Sequence, residues 1–268
     1  VNHHTITQRH VNPNMPAERY HAVQALSKSM MGKLLKSPAH YRAAQEEHQE
    51  PSKSMQMGTA IHTAVLEPDL YTEVVGVIPE GIDGRTKEGK AWKDANKDRI
   101  CLNNTENRDV QGVARSIHNH PFWEIAGTSN KMVEASVFAM DSETGVPLKA
   151  RPDLWVGADT LVDIKTTDDA TPEAFTRTVL NFGYHIQAAH YLAMTGAAEF
   201  VFVAVERTAP YAVGIYRLDS EWLQAGENMR RKAITLLHEC QALDKWPAYP
   251  TSLQTLSCPK WVLNKSEN

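Results

Sequence analysis

The spacing of apolar positions changes period along the chain. It predicts helices first, then three strands, two helices, two strands and a closing helix. Ser27 or Ser29 can cap a helix through Leu35, which Pro38 interrupts before a second, polar helix runs to about His48. In SMQMGTAIHTAVLEP, Met57, Ile61, Ala64 and Val65 recur at helical spacing until Pro68 ends the run. Polar helical patterns follow over about Thr86 to Asp98 and Glu106 to His118. Alternation then takes over. KMVEASVFAM reads as a strand and DSETG as a turn, and VPLKARPDLWV, GAD and TLVDIKT give a second strand, a turn and a third. Helices over about Pro172 to Leu180 and Tyr184 to Thr195 lead into FVFVAVER and YAVGIYRL as two further strands, and a long helix spans about Ser220 to Leu243.

This order predicts an α/β (α+β) domain: a central mixed sheet with a three-stranded meander, flanked by helices. Residues 1–20 are expected to be a disordered or poorly ordered segment, 21–245 the folded domain, and 246–268 an irregular tail rich in proline (Pro247, Pro250, Pro259). No fixed-period repeat or low-complexity tract divides the chain. The first residue is Val1, and the opening twenty residues are polar without the apolar core of a signal peptide, which reads as a fragment of a longer protein.

Composition narrows the function classes. No apolar run approaches the roughly 20 residues of a membrane span, so membrane readings drop out. Cys101, Cys240 and Cys258 lie far apart and are odd in number. They form neither a disulfide framework nor a CxxC knuckle, and they fit a reducing cytoplasm. A net charge of −4 argues against a uniformly basic nucleic-acid binder but leaves room for a locally positive surface.

The chemistry concentrates in LVDIKTT, residues 161–167. Side chains alternate across a strand, so Asp163 and Lys165 share one face while Val162 and Ile164 take the other. If the preceding hairpin turns about Ala158 with a three-residue loop, Asp153 of RPDLWV becomes the cross-strand neighbour of Asp163; a two-residue loop would send it to the other face. Two carboxylates about 5 Å apart repel by roughly 3 kcal/mol at an effective dielectric near 20. A cation is therefore required: Lys165 is one, and a divalent metal with oxygen ligands is the natural second. Taken alone, Arg151, Asp153, Asp163 and Lys165 read first as a surface ion-pair cluster, and more positions are needed to overturn that.

Further positions bear on that choice. In GTAIH, Gly58 and His62 stand one helical turn apart on a common face, and the missing side chain of glycine lets a ligand or backbone approach. QAAHY puts Gln187 and Tyr191 on one helix face, and Glu134 on the first strand is a further carboxylate. Each of these singly reads as ordinary helix or strand packing. The HNH at 118–120 reads as a helix end, and His3, His4, Arg230 and Arg231 as solvated surface unless the two arginines line a DNA channel.

Together, GTAIH, VEASVF, RPD, DIK and QAAHY resemble, in order, the PD-(D/E)xK nuclease superfamily in the branch that holds the RecB nuclease domain and Cas4. SKSMMGKLLKSPAHY, MGTAIHTAVLEP and VDIKTTDDATPEAF look most like exonuclease VIII, the RecE-type nuclease domain of prophage origin; the likeness covers roughly Ser27 to Leu243. The resemblance implies that Asp153 and Asp163 hold Mg²⁺, for which Mn²⁺ substitutes, together with the backbone carbonyl of Ile164. It adds His62 as a ligand and leaves Glu134 as an additional one. Lys165 would orient the attacking water and offset charge on the phosphorane, while Gln187 and Tyr191 position water, lysine or DNA. The iron–sulfur cysteines of Cas4-like members are missing, so no cluster is expected. By resemblance the activity is 5′-to-3′ digestion of linear duplex DNA by a ring-shaped tetramer, with a RecT-type annealing protein as partner. A structure-specific endonuclease and a catalytically idle DNA-binding module of the same fold are the rival readings.

Overall fold

The computed structural model of the chain describes residues 6–47, 51–128, 130–258 and 262. It opens with β1 (Ile6–Asn12), which pairs antiparallel with a later strand, so this part of the supposedly disordered N-terminal segment is a sheet edge. Backbone pairing places it there, since most of its side chains remain exposed. His3 and His4 lie outside the described residues.

After α1 (Ala17–Ala22), α2 (Lys28–Lys36) starts where the Ser27 hydroxyl accepts a hydrogen bond from the Met30 N–H, and α3 (Pro38–Glu46) where Ser37 does the same for His40. Pro38 therefore begins a helix, occupying a first turn whose N–H has no helical partner. Ser52 caps α4 (Lys53–Leu66), which carries the GTAIH stretch. Beyond the single turn Pro68–Leu70 come α5 (Tyr71–Val74), β2 (Val75–Val77), α6 (Lys87–Ala95), β3 (Ile100–Leu102) and α7 (Asn104–His118), whose N-terminus is closed by a reciprocal Asn103–Glu106 capping box. Next is α8 (Pro121–Thr128).

The two long predicted strands are each broken in the middle. KMVEASVFAM becomes β4 (Lys131–Val133) and β5 (Ser136–Asp141), separated at Glu134, whose φ of 46° is left-handed. VPLKARPDLWV becomes β6 (Pro147–Ala150) and β7 (Leu154–Val156), separated at Arg151-Pro152-Asp153, where proline cannot donate to a ladder. The chain continues through β8 (Thr160–Thr167), α9 (Pro172–Phe182), α10 (Tyr184–Thr195), β9 (Glu199–Glu206), β10 (Val213–Arg217) and α11 (Ser220–Leu243). The halves join different sheets. A five-stranded sheet runs β10-β9-β8-β7-β4, a three-stranded one runs β1-β5-β6, and β2 and β3 form a separate parallel pair. The expected meander is present as β4, β7 and β8, bent into a second sheet at its open end.

The β8–β9 pair is parallel, with helices on both faces. Val162, Ile164, Val201, Val203 and Val205 pack toward Ile61 and Val65 of α4 and Val110, Val113 and Ile117 of α7. Leu161, Phe200 and Phe202 pack on the opposite side against Phe175, Leu192, Ile234 and Leu237, from α9, α10 and α11. Residues 246–258 contain no helix or strand, although Trp246 stacks on Tyr41 at 5.8 Å.

Candidate active site

Gly157 adopts a φ of 58° in a loop of residues 157–159, and the hairpin then pairs Leu154 with Val162, Trp155 with Leu161 and Val156 with Thr160. This is the register that sets Asp153 against Asp163. The sheet bends there, because Asp153 follows Pro152 and precedes the first residue of β7. Its Oδ2 accepts a hydrogen bond from the Ile164 N–H at 2.7 Å, and its Oδ1 lies 3.5 Å from His62 Nδ1. Ile164 thus meets Asp153 through its N–H. Asp163, only 1% exposed, pairs with Lys165 through Oδ1 and accepts from Gln187 Nε2 at 2.5 Å through Oδ2. Lys165 Nζ also sits 4.7 Å from the centroid of the Tyr184 ring.

The electrostatics follow from burial. Desolvation, reinforced by the Asp163 carboxylate, raises the Asp153 pKa to about 6, against the opposing pull of His62, Lys165 and the Ile164 N–H. Burial disfavours the Lys165 ammonium as well, but Asp163 and then Asp153 outweigh it, so its pKa rises and the charge is kept. Burial pushes the Tyr191 phenol well above its ordinary value, which leaves it neutral and able to donate.

A stability prediction follows. Native Asp153 holds its proton more tightly than the unfolded chain, whose value is near 3.8, so ionising it costs stability as pH rises from about 4 through about 6. In EDTA at pH 8, Asp153→Asn should be more stable than wild type by roughly 1–3 kcal/mol, and the difference should vanish below about pH 4. Denaturant melts at both pH values measure this; a variant less stable than wild type at pH 8 contradicts the repulsion.

The donor set suits a hard divalent cation. Asp163 Oδ1 faces the lysine yet closes no hydrogen bond of good geometry, and the second carboxylate, Asp153, has the His62 imidazole beside it. Among the described residues no three of His, Cys, Asp and Glu converge on one point, and Lys165, Gln187 and the Ile164 N–H are the nearest partners of the two carboxylates.

Glu134 is drawn elsewhere. Its carboxylate takes Arg151 Nη2 at 2.9 Å and Nε at 3.2 Å, while its backbone N–H donates to the Asp153 carbonyl at 3.0 Å. It braces the bend through Arg151. Arg151 is tied in turn to Ser136 Oγ and the Met15 carbonyl, which fixes the residue two before Asp153. Asp153, Gln187, Tyr191 and Lys28 line a cavity of about 800 Å³. A Cβ added to Gly58 would meet nothing within 4 Å, so that glycine opens space on α4 rather than accommodating a neighbour.

Sequence reading missed Lys28, Arg151 as a brace and Tyr184. Lys28 Nζ donates to the Phe182 carbonyl at 2.5 Å and lies 5.2 Å from the Tyr184 centroid; burial and then Lys165 push its pKa down to about 8. Nothing in a helix-capping SKS stretch signals a lysine that meets residue 165. The HNH is a helix end as expected, with His118 Nε2 2.9 Å from the Val65 carbonyl and its ring against Trp123. Arg230 and Arg231 are not solvated surface. Arg230 is 0% exposed and bonded to Glu227 Oε1 at 2.8 Å, and Arg231 pairs with Asp141 and Glu143, so their guanidiniums are already matched to acids.

Paired acids and a lysine on a bent hairpin, at the junction of two sheets and between helical layers, define the PD-(D/E)xK nuclease fold. Over residues 27–257 the chain matches, and belongs to, the family described as PDDEXK-like domain of unknown function (DUF3799). Among solved structures it is similar to a "Putative exonuclease" from Eubacterium rectale, at 12% identity and a TM-score of 0.63 over 94% of this chain and 98% of that one. An alkaline exonuclease from Laribacter hongkongensis aligns at 14% identity over 85% and 96% of the two chains, but its TM-score of 0.36 carries no argument. No curated protein matches the chain. At these identities the structural likeness speaks for the fold alone.

Proposed function

We infer that the chain is a divalent-metal-dependent exodeoxyribonuclease that hydrolyses phosphodiester bonds at the ends of linear double-stranded DNA. The observation that supports this most is the buried Asp153–Asp163–Lys165 group, whose Asp153 lines, with Gln187 and Tyr191, a cavity large enough for a nucleotide. Asp153, Asp163 and His62 are the residues to hold Mg²⁺ or Mn²⁺. The ion, when bound, would polarise the scissile phosphate and lower the pKa of an attacking water. Lys165, kept charged by the two acids, orients that water and stabilises negative charge gathering on the phosphate oxygens. Gln187 holds Asp163 in one orientation, and the neutral Tyr191 phenol donates to water or phosphate.

The resemblance to exonuclease VIII supports 5′-to-3′ polarity, a 3′ single-stranded product passed to a RecT-type annealing protein, and a ring-shaped homotetramer in the cytoplasm. A ring also suits the charge: Lys28, Lys149 and Arg151 line the cavity against Glu67, Glu134 and Asp153, so attraction by the lining is modest and enclosure of the duplex would sustain contact. Among the described residues no helix is long and apolar enough to cross a membrane.

End-labelled linear duplex and covalently closed circular duplex, each incubated with Mg²⁺ or with EDTA, test the reading. We expect mononucleotides from the linear substrate with Mg²⁺ only, and an intact circle. Cutting of the circle would make the protein an endonuclease, and unchanged linear DNA in every condition would remove the enzymatic reading.

A further inference from the structure

Most aromatic rings in this fold are covered, but Phe182 is 63% exposed at the end of α9. Its ring stacks on Tyr184 at 5.7 Å and 21°, and Tyr184 stacks in turn on the buried Phe202 at 5.7 Å and 26°. The ladder is therefore anchored in the core and ends in a free aromatic face. Two ammonium groups flank its middle rung, Lys165 Nζ at 4.7 Å and Lys28 Nζ at 5.2 Å from the Tyr184 centroid. Lys28 also grips the carbonyl of Phe182 itself. Gly183, at a φ of 64°, makes the turn between α9 and α10 that presents the ring, and the exposed Leu180 extends the apolar surface beside it.

An exposed aromatic stacked on a ring that carries cations suits a nucleotide of a single strand: the outer ring accepts the base and Lys28, beside the inner ring, accepts the phosphate. We propose that Phe182, backed by Tyr184 with its two flanking ammonium groups, is a stacking platform for one unpaired nucleobase of the DNA strand being cut, adjacent to the scissile phosphate. The inference rests on the nuclease reading and deepens it. It assigns a base-binding subsite to a residue outside the acid–lysine group, and it requires the duplex end to open by at least that base. The recognition is indifferent to sequence, since every base has a π-face.

The test measures kcat/KM with Mg²⁺ on short linear duplexes that are intact or carry one abasic nucleotide, moved through successive positions near the end. Wild type should lose roughly five- to a hundredfold at one position, the range expected for one base–aromatic stack. Phe182→Ala should lose a similar factor on intact DNA and show no further loss at that abasic position; Phe182→Trp should behave as wild type. If Phe182→Ala is slower on every substrate yet keeps the full abasic penalty, the residue is structural and the platform is overturned. The same holds if wild type shows no penalty at any position. If Phe182→Ala instead lowers the mass by light scattering and keeps the penalty, the face contacts a second copy of the chain. Wild type that cuts none of the duplexes refutes the nuclease reading itself, an outcome distinct from all of these.

Discussion

Lys165→Ala is expected to reduce turnover on linear duplex by about a hundred- to a thousandfold, as loss of one preorganised transition-state donor does, while changing affinity for DNA only a few-fold. The ammonium is held between Asp163 and the Tyr184 ring, and its raised pKa keeps it charged across the working pH range. Its strongest partner is thus a protein carboxylate, and its contribution to ground-state binding is correspondingly small. Negative charge accumulating on a phosphate during attack is what would draw it away. Lys165→Arg should not restore the rate, because a planar fork on a different stem cannot reproduce a point donor in a buried slot. Single-turnover rates and separate binding isotherms, taken well below the melting temperature of each variant, separate the two effects. Equal losses in affinity and rate would make Lys165 a phosphate anchor and leave the chemistry to other groups.

Arg230→Met should cost about 3–5 kcal/mol of stability, the range seen when one partner of a buried ion pair is removed. Arg230 is among the largest fully buried side chains, and Glu227, with which it pairs, has a carboxylate that burial already pushes above its usual pKa. Without the guanidinium that carboxylate loses its hydrogen-bonded cation and keeps the weaker attraction of Arg231. The penalty should therefore shrink as pH falls and Glu227 takes up a proton, and the double variant Arg230→Met/Glu227→Leu should regain most of the loss. Urea melts at pH 5 and pH 8 check both statements. A single variant within 1 kcal/mol of wild type would show that the pair is solvated in solution. The effect bears on the site because α11 clamps α10, which carries Gln187 and Tyr191. The two helices approach so closely at Gly226 that an added Cβ would lie 2.1 Å from the His185 carbonyl oxygen.

Much of this architecture could be read from one dimension because the informative interactions are local. The loop Gly157-Ala158-Asp159 sets the β7–β8 register by its length, and alternation along LVDIKTT then decides which side chains meet Asp153. The i, i+4 spacing of Gln187 and Tyr191 put both on one face of α10 for the same reason, and both line the cavity. What the sequence did not reveal depends on segments far apart in the chain. Strand β1 escaped notice because ITQRHVN is paired through its backbone at a sheet edge and has little apolar periodicity to display. The breaks at Glu134 and Pro152 were hidden because alternation continues through them, and only the divergence of two sheets makes the bend visible. Arg230 looked like surface because charge predicts exposure unless a partner is known, and its partner matters only once α10, α11 and β5 close around it. Lys28, Lys165 and Phe182 are brought to one aromatic ladder by the packing of α2 against the turn between α9 and α10. The sequence by itself singled out the acids and the lysine and narrowed the strand register to two choices, since neighbours along a strand or a helix turn are set by backbone geometry, and the structure chose between them. Tertiary structure alone decided which charges are buried, which carboxylate is raised and which aromatic face is left open, because those are properties of the space between elements.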